Sequence, residues 1–239
     1  TGSGGAGKTR LSLQAGAESL EAFANGVWFV ELAALSDASL IPGAIMSTMG
    51  LREKDSDIQL LANTIGSHPT LLILDNCEHL IEACARLVER LTHACPKLHV
   101  LASSREALDI PGEHPYRVPS LPFPDTRHLP ALDEIARCES VQLFVERVKM
   151  YVPSFSLTEK NASSVAQICS RLDGIPLALE LAAARVKVMS VEQMASRLGD
   201  VFNLLTSGNR TALPRQQTLR ALIEWSYDLL TESEKNLFR

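Results

Sequence analysis

The glycine-rich stretch TGSGGAGKT at residues 1–9 constrains the fold of this chain more than any other segment. Glycine loses more conformational freedom on folding than any other residue, and the stretch has few side chains to bury, so a bound group is needed to order it. Gly2 and residues 7–9 fit the pattern G-x-x-x-x-G-K-[ST], whose backbone N–H groups surround a phosphate. The stretch therefore predicts a phosphate-binding loop, and a glycine-rich linker or tight turn is the alternative.

The residue types of this loop suit a nucleotide bound together with Mg²⁺. Lys8 would reach the β and γ phosphates, and the hydroxyl of Thr9 would ligate the metal ion. The helix that begins here would add the positive end of its dipole. The expected nucleotide-binding residues are Gly2, Ser3, Gly4, Gly5, Ala6, Gly7, Lys8, Thr9 and Arg10.

A buried strand that ends in an acid is the second motif of such a site, because Mg²⁺ needs a hard oxygen ligand beside the threonine. Residues 71–75 read LLILD. The apolar run predicts a strand buried on both faces, and Asp75 falls at its carboxyl end, where parallel sheets bind ligands. Thr9 and Asp75 are therefore the expected metal ligands. A core strand that merely ends in a turn aspartate is the alternative.

Helical and strand patterns alternate along the first part of the chain. Helices are predicted over 8–23, 38–49, 57–66 and 80–95, and strands over 27–32, 71–75 and 98–103. Such alternation predicts an α/β domain with a parallel sheet. Because a phosphate loop joins a strand to a helix, the first strand of this sheet is expected upstream of Thr1.

A proline-rich segment, 106–138, interrupts the alternation. It holds six of the 12 prolines, which disfavours an ordered helix there and favours an extended connection. Beyond it, apolar residues recur at helical spacing over 141–188. The sequence thus predicts a nucleotide-binding α/β domain at 1–130, a small all-helical domain at 131–208, and the start of a third domain at 209–239.

Composition and charge exclude several classes of protein. The chain of 239 residues is 46% hydrophobic, yet no apolar run approaches the roughly 18 residues of a membrane span. A net charge of −5 argues against a broad nucleic-acid surface. The five cysteines form no C-x-x-C pair, which indicates reduced thiols rather than a metal site. We expect a cytoplasmic protein without membrane contact, which binds DNA only through domains outside this sequence.

Six sequence strings occur in order along nearly the whole chain: GSGGAGKT, LLILDNCEH, LASSRE, VQLFVERV, LDGIPLALELAA and PRQQTLRALIEWSYDLL. With them the chain resembles the NB-ARC type of STAND signal-transduction ATPase, and most of all the ATP-binding cores of bacterial LuxR-type and AfsR-type transcriptional regulators. The resemblance implies that 209–239 begins a winged-helix domain and that three domains close around ADP or ATP. It implies a switch, with self-assembly in the ATP state, rather than a metabolic enzyme.

The resemblance also implies roles for single residues. Residues 2–9 would be the Walker A loop with Lys8 on the phosphates, and Asp75 would be the Walker B magnesium residue. Arg105 would sense the γ phosphate, which suits a guanidinium just past the end of a strand, although a surface arginine that caps a turn is the alternative. Pro176 would belong to the GxP element that contacts base and sugar; its position alone indicates a proline in the first turn of a helix. The expected catalytic residues are Lys8, Asp75 and Arg105.

Asn76 departs from the pattern of many P-loop ATPases, which place a second acid after the Walker B aspartate. An asparagine cannot accept a proton from the attacking water, so slow hydrolysis is expected. Glu78 in the following turn could substitute for this acid. A helix-dipole partner is the alternative role for that carboxylate.

Two enzyme classes are the alternatives to a switch. A P-loop kinase would need an arginine-bearing lid, and segment 106–138 does carry three arginines, but among many prolines. A ring-forming AAA-type remodelling ATPase would need the second acid where the chain has Asn76. The sequence therefore predicts an ADP- or ATP-binding switch whose enzymatic activity is at most slow ATP hydrolysis.

Overall fold

The computed structural model of the protein describes residues 1–51 and 58–206. The chain divides into two compact units: Thr1–Gly2 with Gly7–Val118, and Ser3–Ala6 with the residues from Pro119 onward. The predicted third domain at 209–239 lies outside the described residues. Within the described ranges, no helix is both long and apolar enough to cross a membrane.

The first unit is an α/β structure built on a small parallel sheet, which confirms the predicted parallel arrangement. The central strand β2 pairs with β1 on one side, where Val27 faces Leu71, and with β3 on the other, where Thr70 faces Leu98. Among the described residues, no strand pairs with the outer edge of β3. The strands are β1 (Val27–Glu31), β2 (Thr70–Asp75) and β3 (Leu98–Ala102), and the helices are α1 (Lys8–Glu18), α2 (Ile41–Thr48), α3 (Ile58–Ile65) and α4 (Ile81–Ala94).

The apolar residues of this unit pack where their spacing predicts. Strand β2 is buried at all six positions, because α1 packs against it and its two neighbouring strands flank it. Helix α4 buries a stripe at helical spacing, which consists of Cys84, Leu87, Val88 and Leu91. The buried strand and the amphipathic helix together hold the carboxyl end of β2 in place.

Two predicted helices of this unit are wrong in extent. The helix predicted over 8–23 ends at Glu18, and a single 3-10 turn, Leu20–Ala22, follows it. The helix predicted over 38–49 is preceded by a separate 3-10 turn, and α2 begins at Ile41. Pro42 sits in the first turn of α2, where its missing N–H costs no helical hydrogen bond, so the α-helix starts there.

The second unit is helical in its described part. Its core consists of apolar side chains without solvent exposure, such as Phe144, Val165 and Leu179. Helix α8 begins at Pro176, and this confirms the prediction of a proline in a first helical turn. The helices are α5 (Leu132–Arg137), α6 (Glu139–Tyr151), α7 (Glu159–Arg171), α8 (Pro176–Ala184) and α9 (Val191–Thr206).

Two details of the helical prediction are wrong. Helix α5 lies inside segment 106–138, for which an extended connection is predicted, although it also falls in the predicted helical domain at 131–208; it begins after Pro130, the last proline of the segment, so no proline interrupts it. Val188, the last residue of the apolar pattern predicted at helical spacing over 141–188, is 72% exposed. Helix α8 ends at Ala184 and the 3-10 turn Arg185–Lys187 follows, so the helical phase that would have buried Val188 is lost.

Candidate functional site

Thr9 and Asp75 meet at the carboxyl end of β2. The hydroxyl of Thr9 donates a bifurcated hydrogen bond to both carboxylate oxygens of Asp75, with Oγ1 to Oδ1 and Oγ1 to Oδ2 distances of 2.9 Å. Thr9 is in the first turn of α1, and Asp75 is the last residue of β2. The structure thus brings together the two residues that the sequence predicts as metal ligands.

Ser103 orients the Asp75 carboxylate, and sequence reasoning missed it. Its hydroxyl donates a short hydrogen bond to Asp75 Oδ1 and accepts one from the backbone N–H of Asn76 at 3.0 Å. Ser103 immediately follows β3, and its own N–H donates to Leu74 O at 2.8 Å. A hydroxyl residue directly after the strand next to the acid-bearing strand is the signal that could have identified it. These bonds fix Asp75, which is only 4% exposed.

Lys8 lies beside this pair. Its Nζ donates to the backbone oxygen of Gly2 at 2.9 Å. Burial lowers the pKa of Lys8; the nearby carboxylates of Glu78 and Asp75 oppose that shift, and Arg105 adds to it. A partly desolvated ammonium among these charges is a strong partner for an added anion.

The loop before Lys8 has a backbone conformation that requires glycine. Gly7 precedes α1 with a φ of 93°, in the left-handed region that L side chains rarely adopt. No heavy atom lies within 4 Å of a Cβ built at Gly7, so the space there is open. The positive φ combined with free space fits a loop that admits a ligand against its backbone.

Residues 3–6 of the loop group with the second unit. There the backbone N–H of Leu177 donates to Gly5 O at 3.2 Å, and a Cβ built at Gly5 would lie 2.9 Å from Leu177 Cβ. Pro176, the predicted base and sugar contact, is the residue before Leu177 and opens α8. The first turn of α8 therefore contacts the loop segment, through Leu177.

Arg105 forms an ion pair that the sequence did not predict. Its Nε lies 3.1 Å from Glu78 Oε1, and the exposed fractions of the two side chains are 63% for Arg105 and 20% for Glu78. Glu78 belongs to the 3-10 turn Cys77–His79, which follows Asn76, a residue with a left-handed φ of 64°. Arg10, the last predicted loop residue, is exposed on α1.

The oxygens of Thr9 and Asp75 suit Mg²⁺ better than a metal ion whose ligands all come from the protein. Within the described part of the chain, no three His, Cys, Asp or Glu side chains form a metal-binding group. Mg²⁺ commonly uses one or two protein oxygens and completes its octahedron with phosphate oxygens and water. The Thr9 hydroxyl and the Asp75 carboxylate are such a pair.

A groove runs beside the outer edge of β3. It encloses about 680 Å³ and is lined by all of β3, by Leu11, Ser12 and Ala15 on α1, and by residues of the segment 108–118. Lys8 and Ser103 also line it, so the groove reaches the candidate site. The backbone groups of a sheet edge that faces such a groove can pair with a further strand.

Comparison with known proteins identifies relatives in mycobacteria. The chain is 45% identical over 241 residues to "Putative HTH-type transcriptional regulator" of Mycobacterium tuberculosis, an alignment that covers 100% of this chain and 26% of that relative. It is 36% identical over 239 residues to an uncharacterized protein of the same species, covering 99% of this chain and 58% of the relative. It is 24% identical over 252 residues to the regulatory protein AfsR of Streptomyces griseus, covering 100% of this chain and 23% of AfsR.

The chain thus spans about a quarter of the length of the HTH-type regulator. No family model matches it. Two of these relatives are named as regulators, the first of them as a transcriptional regulator of the HTH type.

Proposed function

We propose that the chain is the nucleotide-binding switch module of a transcriptional regulator of the NB-ARC or STAND type, with ADP or ATP and Mg²⁺ as its ligands. One observation carries the proposal. Thr9, which directly follows a glycine loop of the phosphate-binding pattern, is hydrogen-bonded to Asp75, 66 residues further along the chain. A hydroxyl and a carboxylate in contact are the two protein oxygens that P-loop NTPases offer to Mg²⁺.

The roles of the loop residues follow from their contacts. The Lys8 ammonium donates to Gly2 O, and a phosphate oxygen can replace that carbonyl as a stronger, charged acceptor. The backbone N–H groups of residues 2–9 would surround the phosphates, and the N-terminus of α1 would add its dipole. When bound, the nucleotide supplies the β–γ phosphoanhydride, which is present in ATP and absent in ADP and so distinguishes the two states of the switch. Arg105 and Pro176 are the proposed contacts to the γ phosphate and to the base and sugar.

Slow hydrolysis fits the residue after Asp75. Asn76 adopts a left-handed conformation, and its backbone N–H donates to Ser103 Oγ, so it shapes the turn. Its amide side chain cannot take a proton from water. We therefore expect turnover well below the median enzyme value of about 10 s⁻¹, with the bound nucleotide acting as a signal rather than as a substrate to be consumed.

The partners of the whole protein are proposals as well. The first relatives carry HTH in their names, and the charge of this chain is −5, so DNA contact would fall to other parts of the protein. From the resemblance to LuxR-type and AfsR-type regulators we infer that the ATP-bound form would self-assemble in the cytoplasm. The nucleotide would thus control when the DNA-binding parts act together.

A strand that precedes the loop is part of this proposal. The phosphate-loop motif joins a strand to a helix, and the groove beside β3 is bounded by the start of α1 and by the open edge of β3. We infer that the strand upstream of Thr1 pairs with β3 in this groove, which would complete the sheet beneath the loop. Nucleotide affinity is therefore best measured on the full-length protein.

The test is calorimetric titration of the full-length protein with ADP and ATP in the presence of Mg²⁺. Lys8→Ala should weaken binding tenfold or more, because a lost charge-assisted contact costs about 1.5 to 3 kcal/mol. Lys97→Ala removes an equal charge from an exposed site and should leave affinity unchanged. If Lys8→Ala binds both nucleotides as the wild-type protein does, the loop is not a phosphate site.

A further inference from the structure

We propose that Glu78 is the carboxylate that accepts the proton of the attacking water, and that Arg105 holds Glu78 in position for it. The inference rests on the proposed function, because it concerns hydrolysis of the ATP bound there. It assigns to Glu78 the acceptance of a proton, which Asn76 cannot perform. It also gives Arg105 a contact with Glu78 in addition to its proposed contact with the γ phosphate.

The backbone of Glu78 is held close to the carboxyl ends of the strands. The N–H of Cys77 donates to Ser103 O at 2.9 Å, and the N–H of Leu80 donates to Cys77 O at 3.0 Å. On the other side of Glu78, the Nε2 of His79 lies 2.8 Å from Leu35 O. The bonds of Cys77 and His79 thus tie the turn to Ser103, directly after β3, and to Leu35, in the segment after β1.

The Glu78 carboxylate has one occupied and one available oxygen. Oε1 accepts the hydrogen bond from Arg105 Nε at 3.1 Å. Oε2 is buried and has no hydrogen-bond partner in the structure. A buried charged acceptor without a donor costs free energy, and such an atom is therefore a place where a ligand hydrogen is expected. A water molecule with its proton directed at Oε2 would satisfy it.

The Glu78 carboxylate lies at the end of the sheet where the phosphates are proposed to bind. Its turn, Cys77–His79, begins two residues after Asp75, the last residue of β2. Asp75 in turn accepts the hydrogen bond from Thr9, which follows the glycine loop. The turn that carries Glu78 and the loop proposed to bind the phosphates therefore meet at the same end of β2.

The proposed step is balanced as follows. The water oxygen forms a bond to the γ phosphorus, while the bond from that phosphorus to the β–γ bridging oxygen breaks and the oxygen leaves with ADP. The proton of the water passes to Glu78 Oε2, which later releases it to solvent as inorganic phosphate departs. Arg105 Nε stays on Oε1 throughout and keeps the other oxygen directed at the water.

The test is single-turnover release of phosphate from ATP by the full-length protein. Glu78→Gln should slow release about 100-fold or more, the usual contribution of a general base, while ATP affinity stays within about threefold. The control Glu82→Gln removes an acid whose side chain is 84% exposed on the next helix, and it should release phosphate as the wild-type protein does.

A second variant covers the case in which Glu78→Gln is poorly folded. Glu78→Asp keeps the charge beside Arg105 but withdraws the oxygens by one methylene, so we expect slower release with unchanged ADP and ATP affinity. Wild-type release rates in either variant, or no release above the buffer rate in the wild-type protein, would overturn the role of Glu78. Absence of nucleotide binding in the wild-type protein would instead overturn the proposed function itself.

Discussion

The two units bury different kinds of residue. Of the six buried polar or charged residues in the described ranges, five lie in the first unit and only Ser140 lies in the second. Three of the five, Asp75, Ser103 and Ser104, gather where β2 and β3 end. Burying polar groups costs free energy unless they are paired, so their concentration at the carboxyl ends of these strands fits the proposed binding site, whereas the helical core serves packing. Substitutions in the two units should therefore change different measurable quantities.

The largest effect is expected in the helical core. Phe144 on α6 has no exposed surface, and Phe144→Ala should lower the free energy of unfolding by about 3 to 5 kcal/mol, because it removes buried apolar area and leaves a cavity. Denaturant titration followed by circular dichroism measures the change. Met150→Ala on the same helix, where the side chain is 68% exposed, should change it by less than about 0.5 kcal/mol. Equal losses in the two variants would contradict the idea of a single tightly packed core.

A smaller effect, on both stability and binding, is expected at the loop. Gly7 and Gly50 have left-handed φ values of 93° and 76°, and no atom lies within 4 Å of a Cβ built on either. Alanine at either position should therefore cost about 1 to 2 kcal/mol of backbone strain without any clash. Only Gly7→Ala should also weaken nucleotide binding, because Gly50 lies outside the candidate site.

Parallel thermal melts and nucleotide titrations of the two variants measure these effects. Equal losses of affinity in Gly7→Ala and Gly50→Ala would show that the loop conformation acts on binding only through overall stability. A loss of affinity confined to Gly7→Ala would show that the conformation of the loop acts on nucleotide binding directly.

The sequence predicted much of the first unit because its signals are local and periodic. The apolar run of β2 predicts a strand that is buried on both faces, and the period of 3.6 residues in α4 predicts a helix with one buried face. Both patterns can be recognised without knowledge of the tertiary structure. The Thr9 to Asp75 contact was also predictable, because two separate motifs with matching chemistry imply a shared site. The same reasoning worked for Pro176, whose ring is tolerated only at the start of a helix.

What the sequence could not give depends on tertiary contacts. Ser103 orients Asp75 only because β3 lies beside β2, so a serine after a strand indicates this role only once the order of the strands is known. The ion pair of Arg105 with Glu78 joins residues 27 apart, and neither side chain indicates the other. Val188 was misplaced because a 3-10 turn shifted the helical phase, an event that depends on how α8 ends.

The smallest expected effect is the uptake of a fraction of a proton by Lys8 when nucleotide binds, an effect for which the helical core has no counterpart. Burial lowers the pKa of Lys8 in the protein without nucleotide, whereas phosphate oxygens favour the ammonium form and would raise that pKa in the complex. The complex therefore holds more protons than the separate partners at pH values between the two pKa values. It follows that affinity is greatest below the lowered pKa of Lys8 in the free protein and falls as pH rises through that pKa.

Titrating ADP in two buffers of different ionisation enthalpy measures the proton uptake as a difference in apparent binding enthalpy. Lys8→Arg keeps its charge at every accessible pH and should abolish that difference, so an uptake that persists in this variant would assign the proton to another group.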